Sequence, residues 1–145
     1  MTECSTALTL FPLPKLPVVV RDDGGEITSD AGVLLVRELD ERLGLTARLA
    51  QCLPDTREQA KVQHSLLALV RQRVYQIACG YEDCNDADWL RFDAALKLAM
   101  GKAPQQGPLA SQPTLCRMEN GPGWRACYAI SEAFLAAYIT RHRHK

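Results

Sequence analysis

Between Val62 and Ile77 the apolar residues Val62, Leu66, Leu69, Val70, Val74 and Ile77 recur at the spacing of successive helical turns, and Gly80 follows them. That pattern lines one face of an α-helix, and glycine is a natural terminator because it adopts the left-handed conformation that closes helices. A helix with one apolar face is stable only when that face is covered. The rest of the chain must therefore supply the elements that cover it.

Shorter periodic segments do so. Ser29 or Asp30 can accept from the free amides of a following turn, and Leu34, Leu35, Leu39 and Leu43 then recur at helical spacing up to Gly44. Thr46 opens a shorter helix through Ala47, Leu49 and Leu53, which Pro54 stops. Past Gly80, Asp86 stands where it can cap a helix carrying Trp89, Leu90 and Phe92, and Asp93 restarts it through Leu96, Leu98 and Ala99 to Gly101. Lys102 to Gln112 reads as an open loop, with Pro104, Gly107 and Pro108. Ser111 or Gln112 then precedes Pro113, the favoured first-turn proline, in a short helix that reaches Leu115, Met118 and Asn120. A last helix carries Trp124, Tyr128, Ile130, Phe134, Leu135, Tyr138 and Ile139. At the amino end, Pro12, Pro14 and Pro17 make residues 1–17 an extended arm, while Val18–Arg21, the turn Asp22–Gly25 and Glu26–Thr28 have the form of a β-hairpin.

The expected fold is mainly α: a compact multi-helix domain with a short N-terminal β-hairpin and a helix-turn-helix-like segment. Residues 18–140 form the helical region and 141–145 a basic tail. The length of 145 residues suits one core, and a 47% hydrophobic share is too high for a disordered chain. Lys plus Arg and Asp plus Glu both number 17, so any site for a polyanion must be local. No apolar run is long enough to span a bilayer, and the amino end lacks the pattern of a signal peptide, so a cytoplasmic protein is expected. None of the six cysteines forms a C-x-x-C pair, which favours reduced thiols over structural zinc.

The acidic step Asp83, Asn85, Asp86 and Asp88 offers hard oxygen donors but fails as a calcium loop, with Asp88 at the turn-glycine position and Ala94 in place of the final Glu. Helix capping is the better reading. No phosphate-binding glycine loop or nucleophile elbow is present. The expectation is no catalytic residue and no metal site in this chain.

The segment Ser111 to Asn120 is different. Gln112 and Arg117 are side chains that make bidentate contacts to base edges, and Ser111 and Thr114 reach phosphates. Read blandly, it is a capped surface helix; read functionally, it is the reader of a helix-turn-helix. Arg71, Arg73 and Lys102 are the candidate phosphate contacts elsewhere, with Lys97 and the tail Arg141–Lys145 as further basic character.

Three stretches carry a resemblance: Gly32–Gly44, His64–Asp88 with its Gln72–Ala78 and Asn85–Asp88 runs, and Leu109–Asn120 with Ser111–Thr114. Together they resemble the opening of DDE transposases of the insertion-sequence thirteen-eighty family, over about residues 18–139. The resemblance implies N-terminal helices that recognise terminal inverted repeats in double-stranded DNA. It also implies an RNase H-like catalytic core whose two aspartates and one glutamate hold Mg²⁺. In that family the first aspartate lies on a strand after the helix matching Trp124 to Ile139, whereas here Arg141–Lys145 follows. None of Asp83, Asp86 and Asp88 matches a catalytic position. The resemblance thus implies a truncated transposase fragment that lacks the RNase H-like core, is not an enzyme alone and needs no cofactor of its own. The alternatives are an interaction protein that pairs with intact transposase and inhibits it, or one half of a split transposase. A second copy of the chain or full-length transposase is the implied protein partner.

Overall fold

The computed structural model describes residues 8–13, 16–20 and 28–142, the first two segments as backbone only. Strand β1 (Leu8–Leu13) pairs antiparallel with β2 (Leu16–Val20), Leu8 opposite Val20 and Leu13 opposite Leu16. The register shifts between Thr9 and Pro12. Pro12 lies opposite Pro17, so neither residue donates to the ladder at that rung. The turn expected at Asp22–Gly25 and the strand residues Glu26 and Ile27 lie outside the described residues.

Seven helices follow among the described residues: α1 (Val33–Leu43), α2 (Leu45–Gln51), α3 (Leu66–Ala78), α4 (Ala87–Leu90), α5 (Ala94–Ala99), α6 (Gln112–Asn120) and α7 (Trp124–His142). The chain is mainly helical, as expected. Helices α1, α2 and α6 all pack on α3. One core joins Val33 and Leu34 of α1 to Tyr75, Leu90, Leu96, Ala99 and Leu109. A second gathers Leu69, Cys84, Ala87, Ala110 and Leu115.

Helix ends follow local chemistry. Gly44 takes φ 64°, and its amide donates to the Asp40 carbonyl at 2.7 Å. Gly80 and Gly101 take φ 96° and 74° after α3 and α5, conformations that any side chain would strain. Asp93 caps α5 by accepting from the Leu96 amide at 2.8 Å. Ser65 caps α3 by accepting from the Ala68 amide at 3.2 Å.

Other caps differ from expectation. Helix α1 starts after Gly32 without a side-chain cap, and the Asp30 carboxylate instead accepts from the Tyr81 hydroxyl at 3.0 Å. Asp86 caps nothing with its side chain, because the 3₁₀ turn Cys84–Asp86 runs directly into α4 and leaves no free turn to close. Asp83 caps that turn, accepting from the Asn85 amide at 3.0 Å.

The buried faces also differ. On α1 the leucine stripe points outward, with Leu35, Leu39 and Leu43 exposed, while Val33, Leu34, Arg37 and Asp40 face in. Partnered polar groups fix that orientation. Arg37 Nη1 donates to the carbonyls of Leu98 and Ala99 at 3.0 and 2.8 Å, closing the C-terminus of α5, and its Nη2 pairs with Glu41. The Asp40 carboxylate accepts from the Thr46 amide at 2.8 Å, the Thr46 hydroxyl at 2.5 Å and the Tyr75 hydroxyl at 3.0 Å. One buried carboxylate thereby ties α1, α2 and α3 together. Burial, then the Asp40 charge, pushes the Tyr75 hydroxyl well above the usual phenol range, so it remains the donor in this cluster.

Helix α3 is wrapped rather than one-sided: Leu69, Val70 and Tyr75 are buried, but so are Gln72, Arg73 and Gln76, while Ile77 is exposed. Helix α7 is the reverse case. Of its residues only Ala126 is buried. Among the described residues no helix is long and apolar enough to cross a membrane, and Cys52, Cys79, Cys84, Cys116 and Cys127 are free thiols.

Candidate nucleic-acid interface

Helix α6 is held at its start by three hydrogen bonds from two side chains. The Gln72 side-chain amide of α3 forms a reciprocal pair with Ala110, Nε2 donating to its carbonyl and Oε1 accepting from its amide, both at 2.9 Å. Two residues on, the Gln112 amide donates to Asp88 Oδ1 at 3.2 Å. Leu115 is then fully buried in the second core. Pro113 fits the first turn because it has no amide hydrogen to leave unsatisfied.

This anchoring decides what faces out. Arg117 is exposed, and Gln112 and Thr114 are half-buried. Arg117 Nη2 lies 3.5 Å from the Thr114 hydroxyl, Ser111 and Thr114 share a 3.2 Å contact, and Gln112 Nε2 reaches Cys116 Sγ at 3.3 Å. Ser111, Thr114 and Arg117 are thus brought together, whereas Gln112 turns to Cys116 on another side of the helix. Asp88 already satisfies the Gln112 amide at this helix start, so the groups left to meet a ligand are side chains rather than the helix terminus.

The other basic candidates lie elsewhere. Arg73 is buried, its guanidinium paired with Glu119 and donating to the carbonyls of Tyr81 and Glu82. Arg71 is half-buried at the corner of α1 and α2, with Nε 3.3 Å from the Thr46 hydroxyl and 3.6 Å from Asp40. Lys102 donates to the Pro108 carbonyl at 3.1 Å, and buried Lys97 donates to the carbonyls of Pro104 and Gln106, so both lysines fold the loop before α6 onto the body. Glu119 also accepts from the Cys84 thiol at 2.8 Å, and burial followed by that bond pushes the thiol up to about 12.

Asp83 spends its carboxylate on the Asn85 amide and side chain, and Asp88 on Gln112. These acids do not converge, and among the described residues no three of His, Cys, Asp and Glu are placed to hold a metal. The acidic step therefore does not fit Mg²⁺.

The sequence reading missed a groove of about 560 Å³ between the segment 53–64 and α6, walled by Arg57, Lys61, His64, Thr114 and Arg117. No local pattern marks it, because its walls come from separate parts of the chain. Burial first, then the charges of Lys102, Arg91 and Arg57, hold the His64 imidazole below its usual range. Three cations thus act on His64 although the chain is neutral overall.

A family model described as transposase DDE domain group 1 matches residues 12–145. No curated protein and no solved structure matches the chain.

Proposed function

The chain belongs to the transposase DDE domain group 1 family, and from that premise we propose that it is the part of such a transposase that binds the terminal inverted repeats of an insertion sequence. The family implies interaction with DNA. The observation that carries the finer reading is α6: a helix pinned by Gln72 and Asp88 that brings Thr114 and Arg117 together. A reader must be held rigidly, since base discrimination depends on bidentate geometry. The runs Gln72–Ala78, Asn85–Asp88 and Ser111–Thr114 support placing the chain with the insertion-sequence thirteen-eighty branch. Strand cleavage and joining, with their Mg²⁺, are the work of residues other than these, and the setting is the bacterial cytoplasm.

A gel shift at moderate salt with inverted-repeat duplex and scrambled competitor tests this. The repeat should out-compete the scramble, and Arg117→Ala should cut that preference by roughly tenfold, about 1–3 kcal/mol per bidentate contact. Equal competition by the two duplexes would sink the reading.

The exposed apolar residues of α7 favour a second reading, in which this chain pairs with another transposase polypeptide. Added to an active transposase, it should then lower the transposition rate.

A further inference from the structure

We propose that the groove beside α6 adjoins a second one at the start of α7, and that together they form a track for an unpaired segment of DNA. In this track Trp124 is the stacking platform and Arg125 the phosphate contact, next to the groove that Arg117 walls. The inference rests on the DNA-binding reading above and adds a ligand form and two residues to it.

The second groove measures about 570 Å³ and is lined by Trp124 and Arg125. Leu53 and Pro54 line both grooves, so the two adjoin at that apolar segment. Cations along the grooves divide into two kinds. Arg57 and Lys61 are neutralised by Asp55 at 2.7 Å and Glu58 at 2.6 Å. Arg117 and Arg125 have no carboxylate in ion-pair range among the described residues, which leaves the track a positive excess on a chain of net charge +0. Free guanidinia gain most from phosphodiesters, which release counterions when neutralised.

Trp124 decides the form of the ligand. Its side chain is 74% exposed, with the Arg125 guanidinium 5.4 Å from the ring centroid. Contact with a duplex backbone needs only cations, and bases inside a duplex stack on one another. An exposed indole beside an apolar segment and unpaired guanidinia suits bases that have left the stack. A frayed duplex end supplies such a strand.

The test uses the whole chain carrying Trp89→Phe, which leaves Trp124 as the only tryptophan of the two in the sequence. Titration with an oligothymidylate of about ten nucleotides, within the span one such surface covers, should quench Trp124 fluorescence. Anisotropy of the labelled oligonucleotide should weaken at least fivefold with Trp124→Ala, a typical loss for one stacked base. Arg125→Ala should lower the salt slope by about one phosphate contact, and Trp89→Ala should change neither. Binding of the fully paired inverted repeat is measured alongside. Absent quenching with intact repeat preference overturns the track and leaves the α6 reading standing. Quenching without repeat preference supports the track and sinks that reading. If the paired duplex quenches Trp124 as strongly as the single strand, the proposal of an unpaired ligand fails.

Discussion

His64 joins the stability of the fold to the groove it walls. Arg57 Nη1 donates to its carbonyl at 2.9 Å, and its imidazole is partly withdrawn from water beside cations. Burial and the charges of Lys102, Arg91 and Arg57 each disfavour the imidazolium, so the folded chain takes up this proton less readily than the unfolded chain does. The sign follows from linkage. Above the ordinary imidazole value of 6.5 the ring is neutral in both states and contributes no slope. Below it the unfolded state binds the proton first, so stability falls until pH passes the depressed folded value, and then levels. In the free protein the His64 resonances should titrate with a midpoint below 6.5, and His64→Gln should remove this part of the slope in the urea midpoint against pH. A bound polyanion should raise the midpoint by screening the cations. A free-protein midpoint at or above 6.5 would contradict the placement of these charges.

At the scale of elements, the position of α6 hangs on the Gln72 amide. Its two bonds satisfy the carbonyl and amide of Ala110, itself 1% exposed, where no water can replace them. Gln72→Ala orphans both groups and should cost about 3 kcal/mol in urea unfolding, since each buried unsatisfied group costs about 1–3 kcal/mol. The Ala110 amide should lose exchange protection, and preference for the inverted repeat should fall although Gln72 lies behind the reading face. An unchanged Ala110 exchange rate would mean that α6 is held by Leu115 and Asp88 alone. This element also shows what can be read from a sequence. Gly44, Gly80, Gly101 and Asp93 mark helix ends because caps and left-handed turns act within a few residues. Which face turns inward is decided by partners far along the chain, Gln72 with Ala110 and Arg73 with Glu119. Hence Leu35 and Leu39 face solvent while Arg37, Asp40 and Gln72 are buried. The candidate site divides the same way: Ser111 to Arg117 is one short run, whereas Leu53 joins His64 in one groove and Trp124 in the other only through folding.

The molecule as a whole has two cores around α3 and one long helix that adds almost nothing to either. Helix α7 covers 19 residues, meets α2 near its start and buries only Ala126. Phe134, Leu135 and Tyr138 remain 49%, 52% and 63% exposed. Burying an apolar side chain fully contributes about 1.5–3 kcal/mol, so this helix holds unused stabilisation that a partner surface would release. Two measurements separate the helix from the body. Amides in the second half of α7 should exchange by local fraying, whereas the amide of Tyr75, at 0% exposure in the first core, should exchange only through global unfolding. The pair Phe134→Lys and Tyr138→Lys should then shift the unfolding free energy by no more than about 0.5 kcal/mol each, as surface substitutions do. Leu96→Ala, at a site with 0% exposure, should cost about 2–5 kcal/mol. Because the lysines remove apolar surface without touching the cores, they should also reduce concentration-dependent association in sedimentation. Should the lysine pair destabilise the fold as much as Leu96→Ala does, α7 must pack on the body, and its apolar face is not available to a second polypeptide.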